Sequence, residues 1–260
     1  GKTKRIQWVN SSNITNVRIE FSTNGGTTFN TAQPITMNWA TGTSGGYFDW
    51  NIPQTITASS NFKIRIIDAN SPTIIDTSNA VFEIRKMKLT EPNDNNVVYQ
   101  AGSTQKIKWT YELVNNVKIY YSSDNGNSWP IQLTNPTTPA STGTSGFDWI
   151  VPSNSGIFHR IKIVDAETDS IFWISENPFS ISTLALIEPN GNENWLAGTR
   201  RKIKWTSSGV SNVKIEYTLD GNNWALITNS ASASLGEFEW ELPNDTSSNN
   251  ARVRLTAVDN

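Results

Sequence analysis

The chain has 260 residues, 36% of them hydrophobic, with a formal net charge of −2 and no cysteine. The missing cysteine excludes disulfide staples, thiolate metal sites and cysteine nucleophiles, and the scattered Lys and Arg disfavour a nucleic-acid partner, whose phosphates require clustered positive charge. No run approaches 18 consecutive apolar residues and no charged-then-apolar start is present, so no segment reads as a membrane span or a signal peptide.

In chain order the first predicted element is an I-x-W strand at Ile6-Gln7-Trp8, repeated at Ile107-Lys108-Trp109 and Ile203-Lys204-Trp205, with tryptophan steps of 101 and 96 residues. Next come Val17-Arg18-Ile19, Val117-Lys118-Ile119 and Val213-Lys214-Ile215, then a turn closed by Phe29, Trp129 or Trp224. Phe48-Asp49-Trp50, Phe147-Asp148-Trp149 and Phe238-Glu239-Trp240 follow, each succeeded by Pro53, Pro152 or Pro243. The last landmark is a strand ending in Asp68, Asp165 or Asp259. In it Phe62-x-Ile64-x-Ile66 recurs in phase as His159-x-Ile161-x-Ile163 and Val253-x-Leu255-x-Ala257. A period of about 97 residues exceeds that of solenoids and propellers, so each repeat reads as a domain of its own.

Alternation of period two, with Gly, Pro, Asn and Ser clusters between apolar runs, predicts about seven short strands per repeat. The expected fold is therefore all-β: a tandem array of three antiparallel β-sandwich domains, the first and last incomplete. Boundaries are placed at 1-86, 87-183 and 184-260. Repeats two and three open on Leu89-Thr90-Glu91-Pro92-Asn93 and Leu186-Ile187-Glu188-Pro189-Asn190, whereas repeat one has no such segment. Repeats one and two close on Phe82-Glu83-Ile84 and Phe179-Ser180-Ile181, and repeat three stops short of an equivalent. These ragged ends read as a cut from a longer array. The two repeated tryptophans are expected to meet between the sheets, replacing a disulfide. The joints, free of Gly and Pro, imply a semi-rigid rod.

Candidate sites are few. Ser122-Ser123-Asp124-Asn125-Gly126-Asn127-Ser128-Trp129 matches the Asp-box pattern of sialidase-like propellers, but its spacing favours a hairpin turn over a hydrolase. His159, the single histidine, reads as a strand residue, and the repeated acids Asp49, Asp148 and Glu239 as turn or hairpin groups. No catalytic residue is expected. Glu91, Asp94, Glu188 and Glu193 crowd the joints with oxygen, which makes them candidate Ca²⁺ ligands. Trp173, Trp195, Tyr99 and Trp39 are candidates for stacking on a glycan or a neighbouring subunit. Trp195 aligns with Tyr99. Three sequons, at Asn10, Asn13 and Asn244, are most simply chance in an Asn-rich chain.

The string L-x-E-P-N-x6-[YW]-x2-G-x5-I-x-W, followed by V-K-I, D-G-x-x-W, F-[DE]-W-x-x-P and [KR]-I-[KR]-[IV]-x-D, resembles the Ig/fibronectin-III-like modules repeated in large bacterial secreted and cell-surface proteins. It is also similar to the N-terminal module of fungal cell-wall glucan-assembly proteins. The resemblance covers all three repeats and implies an extracellular, non-enzymatic segment that self-associates into a filament, sheath or S-layer. The alternatives are a carbohydrate-binding or adhesin stalk contacting a cell-envelope polymer, and an accessory region of a secreted hydrolase.

Overall fold

The computed structural model describes residues 2–244 and 246–258. Asp259, expected to end the last strand, and Asp245 of the third sequon lie outside the described residues.

The first unit comprises β1 (Thr3–Trp8), β2 (Asn16–Ser22), β3 (Thr36–Ala40), β4 (Gly46–Asn51), β5 (Ser59–Asp68), β6 (Ile75–Thr77) and β7 (Phe82–Ile84). The second holds β8 (Lys86–Glu91), β9 (Val98–Gln100), β10 (Thr104–Glu112), β11 (Asn116–Ser122), β12 (Ile131–Gln132), β13 (Thr138–Pro139), the single-turn helix α1 (Thr142–Ser145), β14 (Phe147–Ile150), β15 (Gly156–Asp165) and β16 (Phe172–Ile174). It closes on β17 (Phe179–Glu188), which runs on into the third unit of β18 (Arg200–Ser208), β19 (Asn212–Thr218), β20 (Trp224–Ser232), β21 (Glu237–Glu241) and β22 (Arg252–Ala257).

The repeated motifs are halves of antiparallel pairs. In one sheet the I-x-W strand pairs with the F-[DE]-W strand, setting Ile6 opposite Phe48, Ile107 opposite Phe147 and Ile203 opposite Phe238. In the other sheet V-[KR]-I pairs with the basic strand, setting Ile19 opposite Ile66, Ile119 opposite Ile163 and Ile215 opposite Leu255. Because strand side chains alternate between faces, each sheet turns one apolar face inward. The core of each unit closes between the two sheets, around Ile19 and Phe62, Ile119 and Ile161, or Val213 and Ile215. The fold is that of all-β sandwiches in tandem.

Two expectations are corrected. First, the repeated tryptophans do not meet between the sheets. They stand on neighbouring strands of one sheet, Trp8 facing Gly46 while Trp50 faces Lys4, which separates them by about 13 Å along the strands. Trp149 faces Gln105 and Trp240 faces Arg201 in the same manner. Alternation assigns a side chain to a face, but it does not say which strands are neighbours. Trp109, 1% exposed, instead packs against Gly143 of α1. Trp149 meets Tyr121 at 5.8 Å and Phe179 at 6.0 Å. Burying each such ring contributes about 4–6 kcal/mol by area.

Second, the last strand of repeat three is displaced by two residues from its expected alignment. Tyr217 faces Val253, as Phe21 faces Ile64 and Tyr121 faces Ile161. Val253 therefore corresponds to Ile64 and Ile161, and Ala257, opposite Val213, to Asp68 and Asp165. A shift of two keeps every side chain on its face, so the hydrophobic pattern alone does not reveal it.

The joint between the second and third units is a single strand. Ser180–Ser182 of β17 pair with β9, and Thr183–Glu188 pair with β18. The first joint, between β7 and β8, is held by Arg85, whose guanidinium lies 2.8 Å from Asp165, 2.5 Å from Glu167 and 2.7 Å from Glu83.

A Cβ placed on Gly143 would lie 2.5 Å from the Trp109 ring. Gly143→Ala should therefore destabilise the second unit by about 1–3 kcal/mol through overpacking, read as a lowered urea midpoint of the transition reported by Trp109.

Candidate functional site

The Asp-box of the second unit builds a closed turn. The Ser122 hydroxyl donates to Asp124 Oδ1 (2.6 Å) and accepts the Gly126 N–H (2.9 Å). The Ser128 N–H and hydroxyl both donate to the Asp124 carboxylate, at 3.0 and 2.5 Å. These donors hold Asp124 well below the usual carboxylate range, at about 2. The first unit repeats the turn with Ser22, Asn24 and Thr28, and the third with Thr218, Asp220 and Asn223. In each case the closing aromatic lies against the cation of the neighbouring strand: Arg65 over Phe29 (4.1 Å), Lys162 over Trp129 (5.6 Å) and Arg254 over Trp224 (4.2 Å). Those three cations share one register position. The carboxylate's oxygens are thus taken up by the turn itself, which is the work of a hairpin cap.

Arg65 also donates to Glu20 at 2.6 Å, and Arg18 approaches the other Glu20 oxygen at 2.7 Å. Glu20 is fully buried. Removing one cation leaves that charge under-compensated, so Arg65→Ala should cost about 3 kcal/mol of first-unit stability, measured by chemical denaturation against an Arg65→Lys control.

His159 lies buried, with Nδ1 2.7 Å from the Tyr121 hydroxyl and its ring stacked on Tyr121 at 5.7 Å. Burial pushes its pKa down from 6.5. The remaining repeated acids are structural. Asp49 pairs with Arg5 (2.8 Å), Asp148 with Lys106 (2.8 Å) and Glu239 with Arg200 (4.0 Å), all across strands at the surface. Asp68 and Asp165 accept the N–H groups of Asn70 and Glu167, each at 2.9 Å.

The candidate Ca²⁺ ligands are divided between separate tasks. Glu91 pairs with Lys108 (3.0 Å) and Glu188 with Lys204 (2.7 Å), which raises the Lys204 pKa. Glu193 accepts the N–H groups of Asn190 and Gly191, each at 2.7 Å, and these lower its pKa. Asp94 is exposed. Among the described residues no group of three or more His, Asp or Glu side chains is placed to hold a metal ion.

The candidate aromatics also part company. Tyr99 seats on Trp149 (6.4 Å) and Phe179 (5.4 Å), and Trp195 meets Trp240 at 6.4 Å, so the aligned pair performs one packing role in two units. Trp173 packs on the second core, its indole N–H buried without a partner and Lys88 Nζ 6.0 Å from the ring. Trp39 differs. Its ring is 42% exposed, edge-on to Phe48 at 4.9 Å, beside exposed Tyr47 and Met37. Sequence reasoning passed over Arg85, which stands outside the repeated motifs, and Glu20, whose cation-flanked position recurs in the third unit as Glu216 between Lys214 and Arg254 but holds Tyr120 in the second.

Paired sheets closing a core, three times in tandem, define the class: tandem Ig-like β-sandwiches. No sequence family matches the chain and no curated protein does, so neither comparison supports a likeness to fungal glucan-assembly modules. Among solved structures it is similar to three N-terminal domains of the Highly Immunogenic Outer Capsid protein (Hoc) of bacteriophage RB49, at 10% identity over 99% of this chain and 94% of that one, TM-score 0.29. It is also similar to a three-Ig-domain variant of titin (7% identity, 99% and 92% covered, TM-score 0.34) and to immunoglobulin domains 1-5 of Sidekick-1 (10%, 94% and 54%, 0.25). Likenesses of this size carry no functional argument. No helix among the described residues is long and apolar enough to cross a membrane.

Because the folded-state pKa of His159 lies below its unfolded value of 6.5, its contribution to stability is complete above pH 6.5 and declines as pH falls below it. Replacing His159 with Phe, the residue at position 62 of the first unit, should flatten the second unit's stability as pH falls below 6.5. Asp124 acts lower: its contribution is present above the unfolded carboxylate pKa of 3.8 and is lost as pH falls toward 2. Asp124→Asn, which copies Asn24, should retain the turn and remove that acid-range loss. Denaturation midpoints measured across pH check both.

Proposed function

We propose that this chain is a non-enzymatic structural segment of a large extracellular or cell-surface repeat protein, bacterial in kind by its cysteine-free, Asn- and Ser-rich texture, forming a semi-rigid rod that assembles with copies of itself into a filament, sheath or S-layer. The working units are 1-86, 87-183 and 184-260. The observation that carries the reading is the continuous strand β17, hydrogen-bonded to the second unit through Ser182 and to the third from Thr183. A joint without a free linker transmits orientation from unit to unit, and a spacer or lattice component needs that property. The Arg85 cluster supports the same stiffness at the first joint. Among the described residues the repeated carboxylates are engaged in turns or cross-strand pairs, as a structural role requires.

A stalk that binds glycan is the second reading, favoured by Trp39 with Tyr47 on an exposed face of the first unit. Of the four aromatics considered, Trp39 is the one with a ring open enough for stacking; Trp173, Trp195 and Tyr99 are engaged in packing.

Electron microscopy of the chain over a range of concentrations, with and without Ca²⁺, tests the proposal. Ordered fibres or sheets with an axial spacing commensurate with the repeat are expected. Isolated rods under every condition, together with glycan binding lost on Trp39→Ala, would replace the structural reading with the second. Inserting Gly-Ser-Gly-Ser between Ser182 and Thr183 should shorten the mean end-to-end distance in small-angle scattering and abolish ordered assembly.

A further inference from the structure

Between β3 and β4 the first unit holds a cleft of about 660 Å³ whose walls are drawn from residues 21–57 alone. In every unit the F-[DE]-W strand is the outer strand of its sheet, so this side of each sandwich is closed by the chain that follows V-[KR]-I. In the second unit that chain returns quickly: β12 pairs with β11, and Leu133, four positions after Trp129, donates its N–H to the Ile119 carbonyl. In the third, β20 pairs with β19 from Trp224 onward. In the first, Ile35 makes the corresponding bond to Ile19 six positions after Phe29, and the two additional residues widen the turn before β3 begins. Asn30 fixes the widened turn: its N–H donates to the Phe21 carbonyl (2.8 Å) and its Oδ1 accepts the Gln33 N–H (3.0 Å).

Aromatic rings and uncommitted polar groups share the lining. Phe29 and Phe48 are half-buried there, Phe29 beneath Arg65 (4.1 Å) and Phe48 edge-on to Trp39 at 4.9 Å. Trp39 ties the two strand edges together beside the cleft, its indole N–H donating to the Tyr47 carbonyl at 3.0 Å. On the opposite wall the chain turns through the bond from the Ile56 N–H to the Pro53 carbonyl (3.2 Å), with Ile56 buried and Thr55 and Thr57 exposed. The side chains of Gln33, Asn51, Thr55 and Thr57 line the cleft and make no hydrogen bond to the described residues. Asp49 is the one charged group among the described lining residues, and Arg5 is already paired with it at 2.8 Å.

We propose that this cleft is a binding site for a neutral oligosaccharide. A sugar ring presents C–H groups on its faces and hydroxyls around its rim, so it needs an aromatic surface beside donors and acceptors that carry no net charge. Phe29 and Phe48 supply the surface. The amides of Gln33 and Asn51 and the hydroxyls of Thr55 and Thr57 supply groups that both donate and accept. The volume lies within the range of about 300–1,000 Å³ occupied by small-ligand sites. An acidic or basic ligand gains no new ion pair here, because the Asp49 carboxylate is already matched by Arg5. The inference rests on the glycan-binding reading of the first unit, and it moves recognition from the open face of Trp39 into the cleft beside it.

The test is calorimetric titration of the 260-residue chain with cellopentaose, chitopentaose, mannopentaose and xylopentaose, and with heparin and polygalacturonate as acidic counterparts. Saturable binding of at least one neutral oligosaccharide is expected, at an affinity that added salt leaves unchanged. Asn51→Ala and Gln33→Ala should each weaken it by about tenfold. Deleting Thr31 and Ala32 restores the spacing of the second unit and should abolish binding while the chain keeps its cooperative unfolding transition. Binding that survives both point variants but is lost on Trp39→Ala overturns the cleft and leaves the glycan reading standing. No binding of any neutral oligosaccharide overturns both, and binding confined to the acidic polymers, weakened by salt, overturns the proposal as well.

Discussion

Each unit depends on one apolar layer, closed between the sheet that carries I-x-W and the sheet that carries V-[KR]-I. With no cysteine in the chain, no covalent bridge joins the sheets, and burial alone must offset the conformational entropy of ordering each unit. Trp109, Trp149, Tyr121 and Phe179 fill that role in the second unit, and they are packed closely enough that α1 approaches Trp109 only through Gly143.

The polar chemistry is arranged around that layer. The Asp-box turns cap the hairpins, and their closing aromatics are covered by Arg65, Lys162 and Arg254 from the adjacent strand. Ion pairs such as Arg5 with Asp49 and Lys106 with Asp148 lie across strands on exposed faces, where each contributes little individually. Glu20 and Asp165 are the exceptions, buried charges held by Arg18 and Arg65 and by Arg85. Among the described residues these polar groups thus support the sandwiches and their joints.

The three units are alike in register yet unlike at those joints. The second passes into the third along one strand, whereas the first meets the second through a break at Arg85, a residue that reaches the buried Asp165. Asp165 has no counterpart in the described part of the third unit, where Ala257 takes its register position. The same carboxylate that caps its own strand end in the second unit also anchors the unit before it.

The sequence by itself determined the fold class, the three repeats and the face to which each strand residue belongs, because alternation and motif spacing are local properties of the chain. It also identified the Asp-box as a turn and paired Tyr99 with Trp195. The tertiary structure alone decided that the repeated tryptophans lie along one sheet, that the last strand is offset by two residues, and that Trp173 packs while Trp39 stays open. It alone brought Arg85 to Asp165. These outcomes turn on which strands become neighbours and on contacts between residues 80 or more positions apart, and neither is written in a periodicity of two.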